Sequence, residues 1–399
     1  MAEKKEQHYV PKFYLRNFTN NNMIHLATLS NDKNIRFVPY NKQCYKDYMY
    51  GEDLVWENKL SKFESKWSNL VTDIVINKRI HLTDEEKDDL KDFVAFQVMR
   101  TNRKVDIIEG NIHNFNQKLI PIIAKSQGLD LNDKELAELI RTENSSFDRR
   151  EWAKFNLDLI ESNKDKVKDL GLILISNKTS TPFITSNHPA FSLNYYQNVH
   201  GLGLLSTGLI YGLPLSPEFL VILFDKQIYH KISDLDLLNI SEVEDIKELN
   251  YYQYIRSDGV VFSNDSQTIK DVIDFKLSLQ IECIKKIARS NISRKFPFYS
   301  LQYIDNVLLD TQIKHEVLNG ESIIECVRYA LQYEPKITFL EMHERAIEFK
   351  NDETFIWIRN EKNEESINAR FNIVKHYGDS EKIKRFRIFI SDYSNGKLV

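Results

Sequence analysis

Three short stretches of this chain hold residue types able to do chemistry. The first, HYVPKFYLRNF at residues 8–18, sets His8 and Arg16 among Pro11 and four aromatic rings. The second, FVAFQVMRTNR at residues 93–103, places Gln97, Arg100 and Thr101 inside an apolar run. The third, PFITSNHPAF at residues 182–191, follows a strand-like segment with Thr185, Ser186, Asn187 and His188. Histidine titrates near neutral pH and can act as a general acid or base. Arginine grips carboxylate or phosphate through two parallel N–H donors. The pattern defines a candidate catalytic set of His8, Arg100 and Gln97, with Arg16, Thr101, Ser186 and Asn187 as candidate substrate-binding residues. Its chemistry would be hydrolysis of a phosphate-containing substrate, with Arg100 stabilising developing negative charge.

Each of these residues also has a structural reading. Gln97 and Thr101 fall within the inward stripe formed by Leu90, Phe93, Val94, Val105 and Ile108, and Arg100 lies on its edge. A buried amide or hydroxyl must be hydrogen-bonded, so these side chains either stitch helices together or line a pocket. Ser186, Asn187 and Pro189 suit an ordinary Asx-type turn, and the His188–Pro189 bond is open to either isomer. His8 is either a docked, half-buried ring or a proton carrier. Glu57 and Glu64, seven residues apart, sit on one side of a helix about 10 Å apart. There they flank the stripe and can reach Arg100 or remain solvated.

The elements that must position these groups follow from periodicity. Apolar residues from Leu54 to Val75 recur at helical spacing. Thr83 to Glu86 spells a capping box that opens a long helix reaching about Pro121. Helices are expected at 132–143 and 149–167. The short β-branched runs LGLILIS, PFITS, FSLNYY, GLIYGLPL and EFLVILF predict an antiparallel or mixed sheet over residues 169–225. Ser241 to Glu244 reads as a second capping box, GVVFS as a strand, and 268–288 as a helix. Past residue 295, KFPFYSLQYI, the helical ESIIECVRYALQYE and the strand-like TFIWIR and KRFRIFIS predict a further unit. The expected class is α+β, with a helix-rich N-terminal half on a central sheet, divided into residues 1–295 and a smaller C-terminal α+β unit, 296–399.

Composition narrows the function classes. Hydrophobic residues at 42% and charged residues at 28% describe a globular chain, and 12 Gly with 9 Pro favour long helices. A net charge of −4 provides no global positive field for nucleic acid or anionic membrane. Any nucleic-acid contact must be local, and KKIARSNISRK (residues 285–295) supplies Lys285, Lys286, Arg289, Arg294 and Lys295 without an acid. That run also fits a solvated helix end. The 3 cysteines, Cys44, Cys283 and Cys326, lack metal or disulfide spacing. Neither a signal-peptide core nor an apolar run of about 18 residues is present, so the expected location is the cytoplasm. No metal and no cofactor are expected.

Taken in order, HYVPKFYLRNF, ENKLSKFES, FVAFQVMRT, FITSNHPAF and LPLSP resemble the bacterial domain-of-unknown-function family DUF-4238 across residues 7–290. The positions matching its motifs are His8, Pro11, Tyr14, Leu15 and Phe18; Glu57 and Glu64; Gln97, Arg100 and Thr101; and Ser186 and Pro189. The resemblance implies a bacterial or prophage protein associated with defence against bacteriophage, and it brings no established reaction. Similar proteins more often carry Asp where this chain has Asn187, a weaker ligand for a hard cation. A metal-independent route is therefore expected. Two functions stand against each other: a toxin-like hydrolase or nuclease acting on a phosphate-containing substrate, and a non-catalytic sensor that binds a small ligand or a phage protein. A solvent-accessible pocket shared by His8, Arg100, Gln97 and Asn187 would favour the first.

Overall fold

The computed structural model describes residues 5–29, 31–145, 148–196, 203–275, 335–350, 359 and 380–398. Its N-terminal half begins with β1 (Glu6–His8), α1 (Lys12–Arg16), β2 (Met23–Thr28), β3 (Asn31–Pro39) and β4 (Tyr45–Asp47). Five helices follow: α2 (Val55–Val75), α3 (Asp84–Met99), α4 (Asn102–Ser126), α5 (Asp133–Asn144) and α6 (Arg149–Asn163). The second half holds β5 (Gly171–Asn177), β6 (Thr185–Ser186), β7 (Phe191–Leu193), β8 (Ile210–Pro214), β9 (Phe219–Phe224) and β10 (Leu237–Ile240). It continues with α7 (Val243–Arg256) and β11 (Val260–Ser263). Residues 266–275 are helical, as are Glu344–Ile347 and Ser380–Ser394. The class is α+β, as the sequence pattern predicts.

The central sheet has the order β10-β5-β9-β8-β7 and is mixed, because β10 runs parallel to β5 while the other pairs are antiparallel. Its apolar strands are continuous because both faces are covered. Leu172, Leu174, Val221 and Leu223 point into a core shared with α2, α3 and α6. Their neighbours Ile173, Ile175, Leu220, Ile222 and Phe224 point to the opposite side, into a second core. This alternation is the two-residue period of a strand. The second core includes Ile337, Leu340, Phe349, Phe386, Phe389 and Tyr393. Described residues of the 296–399 segment thus complete the far face of the central sheet.

A further sheet, β3-β2-β11-β6, is antiparallel and sets β11 between the N-terminal hairpin and β6. The hairpin is absent from the periodicity reading, and its outer strand β3 is largely exposed where described.

Several expectations are corrected. The helix expected from Thr83 to Pro121 is two helices, broken where Arg100 caps α3 and Thr101 takes an extended conformation ahead of α4. α4 then passes through Pro121 to Ser126. The Thr83 capping box forms, whereas the one expected at Ser241 does not. There the chain stays in the sheet up to Ile240, and α7 begins after Glu242 without a side-chain cap. KRFRIFIS is helical, because Phe386, Phe389, Ile390 and Tyr393 at i, i+3, i+4 and i+7 form one buried stripe. All peptide bonds of the described residues are trans, including His188–Pro189. KFPFYSLQYI, ESIIECVRYALQYE, TFIWIR apart from Arg359, and the boundary at 295/296 lie outside the described residues.

Candidate functional site

The N-terminal segment is held as part of the fold. β1 pairs antiparallel with β4, and Gln7 is buried with its amide spanning the Gly51 carbonyl and the Tyr50 amide. Pro11 caps α1, and Val10, Tyr14, Leu15 and Phe18 are fully buried in the helical core. Tyr14 reaches Thr185 through its hydroxyl at 2.7 Å. The aromatic residues behind His8 therefore serve as anchors.

Docking of this segment depends on the break between α3 and α4. Gln97 donates from Nε2 to the Tyr9 carbonyl at 3.0 Å. Arg100 donates from Nη2 to the His8 carbonyl at 2.6 Å and to Glu64 Oε1 at 2.7 Å. The Tyr50 hydroxyl donates to the Arg100 carbonyl. Burial works against the charged guanidinium, but the Glu64 carboxylate and Tyr50 outweigh it and keep Arg100 protonated. Its side chain is 1% exposed. Nε and Nη1 meet no hydrogen-bond partner among the described residues, and neither does Gln97 Oε1. Each unmet buried group costs about 1–3 kcal/mol.

In front of this pair lies an open cleft of about 770 Å³ between β1, α1 and α2. Lys5, Glu6, His8, Lys12 and Phe13 form one wall, and Glu57, Leu60, Ser61, Glu64, Ser65 and Ser68 of α2 form the other. The ring of His8 is half-buried, 5.3 Å from that of Tyr45, with Nε2 3.3 Å from the Asn41 carbonyl. Burial first, and Lys12 second, push its pKa down to about 4, against the pull of the Asn41 and Glu6 carbonyls. The imidazole is neutral at physiological pH and a weak base.

The third stretch forms a separate buried network. Thr101 Oγ1 and His188 Nδ1 are 2.5 Å apart, and Gln253 Nε2 donates to Ser186 Oγ and to the His188 carbonyl. Burial and the cations Arg103, Lys104 and Arg256 keep His188 well below its usual pKa. Asn187 uses both ends of its amide, donating to the Asp258 carbonyl and accepting from the Asp258 amide.

The fold thus joins His8, Gln97 and Arg100 through main-chain carbonyls, and only His8 of the expected set lines the cleft. Thr101, Ser186 and Asn187 lie in the second network, and Arg16 is exposed at the end of α1 away from both. The expectation that Arg100 faces a ligand directly is corrected: Glu64 stands between it and the cleft. Lys285, Lys286, Arg289, Arg294 and Lys295 lie outside the described residues. Residue type alone does not single out Lys12, Tyr50 or the α2 serines. The signal was present in Ser61, Ser65 and Ser68, which recur at intervals of four and three beside Glu57 and Glu64 and so make one polar face. Among the described residues no group of three or more His, Cys, Asp or Glu side chains could hold a metal ion, and no helix is long and apolar enough to cross a membrane.

An α+β chain whose N-terminal segment is clamped by a buried arginine paired with a cleft-wall glutamate is the class of protein that these contacts define. The sequence model of a protein family of unknown function, DUF4238, matches residues 6–267, well over half of the chain, and the chain belongs to that family. Neither a curated protein nor a solved structure matches it.

Proposed function

We propose that the protein is a recognition module whose ligand site is the cleft between the N-terminal segment and α2, and that it acts in the anti-phage setting implied by the family resemblance. The carrying observation is that His8 and Glu64, two motif residues from different stretches, face the same open cleft. Gln97, Arg100 and Tyr14 meanwhile brace its walls. A base whose pKa is about 4 is poorly matched to proton transfer near neutrality, which favours binding over turnover. The lining, with Lys5, Lys12, Glu57 and three serines, suits a small polar ligand or an extended segment of a phage protein.

A second reading, a metal-independent hydrolase directed at phosphodiesters, draws on one observation: His8 is neutral beside an open cleft and so has a lone pair available. Expression of the full chain in a bacterial host challenged with a panel of phages tests both. In the recognition reading Lys12→Glu and Ser65→Trp abolish protection, while His8→Gln retains it and host RNA stays intact. Loss of protection in His8→Gln, together with phosphodiester cleavage by the purified wild type, establishes the hydrolase instead. Full protection by Ser65→Trp removes the cleft from either account.

A further inference from the structure

Arg100 is almost wholly enclosed, with a side chain 1% exposed, and Nη2 carries its hydrogen bonds; Nε and Nη1 are buried without a hydrogen-bond partner of good geometry among the described residues, with the Tyr50 hydroxyl nearby. A guanidinium is built to receive an oxyanion on two parallel N–H groups. Glu64 supplies a single oxygen, Oε1, at 2.7 Å. The carboxylate that covers Arg100 is itself part of the cleft wall and is 26% exposed, so rotation of one side chain moves it into solvent. The other partner of Nη2 is the His8 carbonyl, fixed by β1 and unable to follow. On the opposite wall Lys12 is exposed and forms no ion pair among the described residues, whereas Lys5 is paired with Asp47 and Glu6 with Lys42.

We infer that Glu64 is an internal stand-in for an oxyanion ligand, and that a phosphate or carboxylate group entering the cleft displaces Glu64 from Arg100 and binds between Arg100 and Lys12. The inference deepens the reading of the cleft as the ligand site and rests on it. A buried receptor covered by its own carboxylate excludes weak anions such as chloride and admits a ligand that can span two N–H groups at once. Glu64 therefore sets a threshold for the ligand, and Arg100 rewards the one that passes it. The bound state exchanges one ion pair for another of better geometry, so the charge on Arg100 is compensated throughout. No bond is made or broken.

The test is isothermal titration calorimetry of the full chain with inorganic phosphate, and separately with acetate. Glu64→Gln removes the competing charge while keeping the shape, and is expected to bind phosphate at least tenfold more tightly than the wild type. Adding Arg100→Lys to it should return affinity to the wild-type level, because a point charge lacks the fork. Tightening for both probes identifies a general oxyanion site, and tightening for phosphate alone identifies a phosphoryl ligand. Glu64→Gln binding phosphate no more tightly than wild type overturns the inference. Should that variant fail to fold, phosphate is titrated into the wild type while the arginine Nε–H resonances are followed by NMR. A saturable shift of the Arg100 signal supports the inference, and its absence at saturating phosphate overturns it. Ser65→Trp in the Glu64→Gln background separates the two levels of the argument. If it blocks phosphate, the cleft is the route; if binding persists, the displacement stands and the cleft reading fails.

Discussion

The Tyr14 hydroxyl and the Thr185 side-chain oxygen lie 2.7 Å apart, a buried contact between residues separated by 171 positions. It links the first motif of the chain to FITSNHPAF. Beside it run Gln97 to the Tyr9 carbonyl, Arg100 to the His8 carbonyl and to Glu64, and Thr101 to His188. The stretches holding His8, Glu64, Arg100 and His188 are thus each bound to another by a polar contact, and together they form a frame with a cleft on one side.

Tyr14→Phe leaves Thr185 Oγ1 in a fully buried position without that partner, at a cost of about 1–3 kcal/mol. Thr185→Val in the same chain removes the orphaned oxygen, so the double variant should be more stable than the sum of the single losses implies. Urea unfolding of the four proteins gives the coupling. Strict additivity would show that the contact contributes nothing of its own.

Asn187→Asp tests the double use of the Asn187 amide. The amide donates to the Asp258 carbonyl at 2.7 Å and accepts from the Asp258 amide at 2.9 Å. A carboxylate keeps the acceptor and loses the donor, bringing negative charge against a carbonyl and near the Asp258 carboxyl, whose pKa burial already raises. Thermal unfolding at pH 7 should show a loss of about 1–3 kcal/mol, shrinking as the pH is lowered and the new carboxyl takes up a proton. Equal stability of the two proteins at pH 7 would contradict the pairing.

Acid should destabilise the protein through its histidines. His8 has a folded pKa of about 4 against an ordinary value of 6.5, and His188 and His343 are also lowered, each chiefly by burial. Above pH 6.5 both the folded and the unfolded state are neutral at these rings. Between pH 6.5 and 4 the unfolded chain binds the proton at His8 and the folded one does not, so stability falls as pH falls. Melting temperatures measured from pH 7.5 to 5 should decrease, and His8→Gln should decrease less steeply. Identical slopes would mean that His8 titrates normally in the fold.

How much of this is legible in the sequence depends on what each residue has to satisfy. α2 and the paired runs of β5 and β9 were readable because burial imposes a period on them. The break between α3 and α4 was not, although Gln97, Arg100 and Thr101 marked it as polar residues in an apolar stripe. Their partners are main-chain carbonyls of His8 and Tyr9 and the His188 ring, and no local pattern reveals a carbonyl brought from about 90 residues away. Guanidinium chemistry suits Arg100 equally to a ligand and to Glu64, and packing between α2 and α3 decides for Glu64. KRFRIFIS carried both an alternating and a helical pattern, and only the sheet face it covers decides between them.

That sheet face supports the last prediction. Phe389, on the helix Ser380–Ser394, is 1% exposed and shares a core with Ile173, Ile222 and Phe224 of the central strands. It contacts the rings of Phe349 and Tyr393, and the Tyr393 hydroxyl donates to the buried Asp225 carboxylate at 2.8 Å. Phe389→Ala removes a ring that both segments need, and a cost of about 3–5 kcal/mol follows from the cavity left behind. Because the ring belongs to a core made jointly with β5 and β9, the loss should lower the single unfolding transition of the whole chain, read in a Trp357→Phe background by tryptophan fluorescence from Trp56, Trp67 and Trp152 on the other side of the sheet. If those tryptophans report an unchanged midpoint while helical circular dichroism falls earlier, the C-terminal helix melts independently, and the second core contributes nothing to the stability of the first.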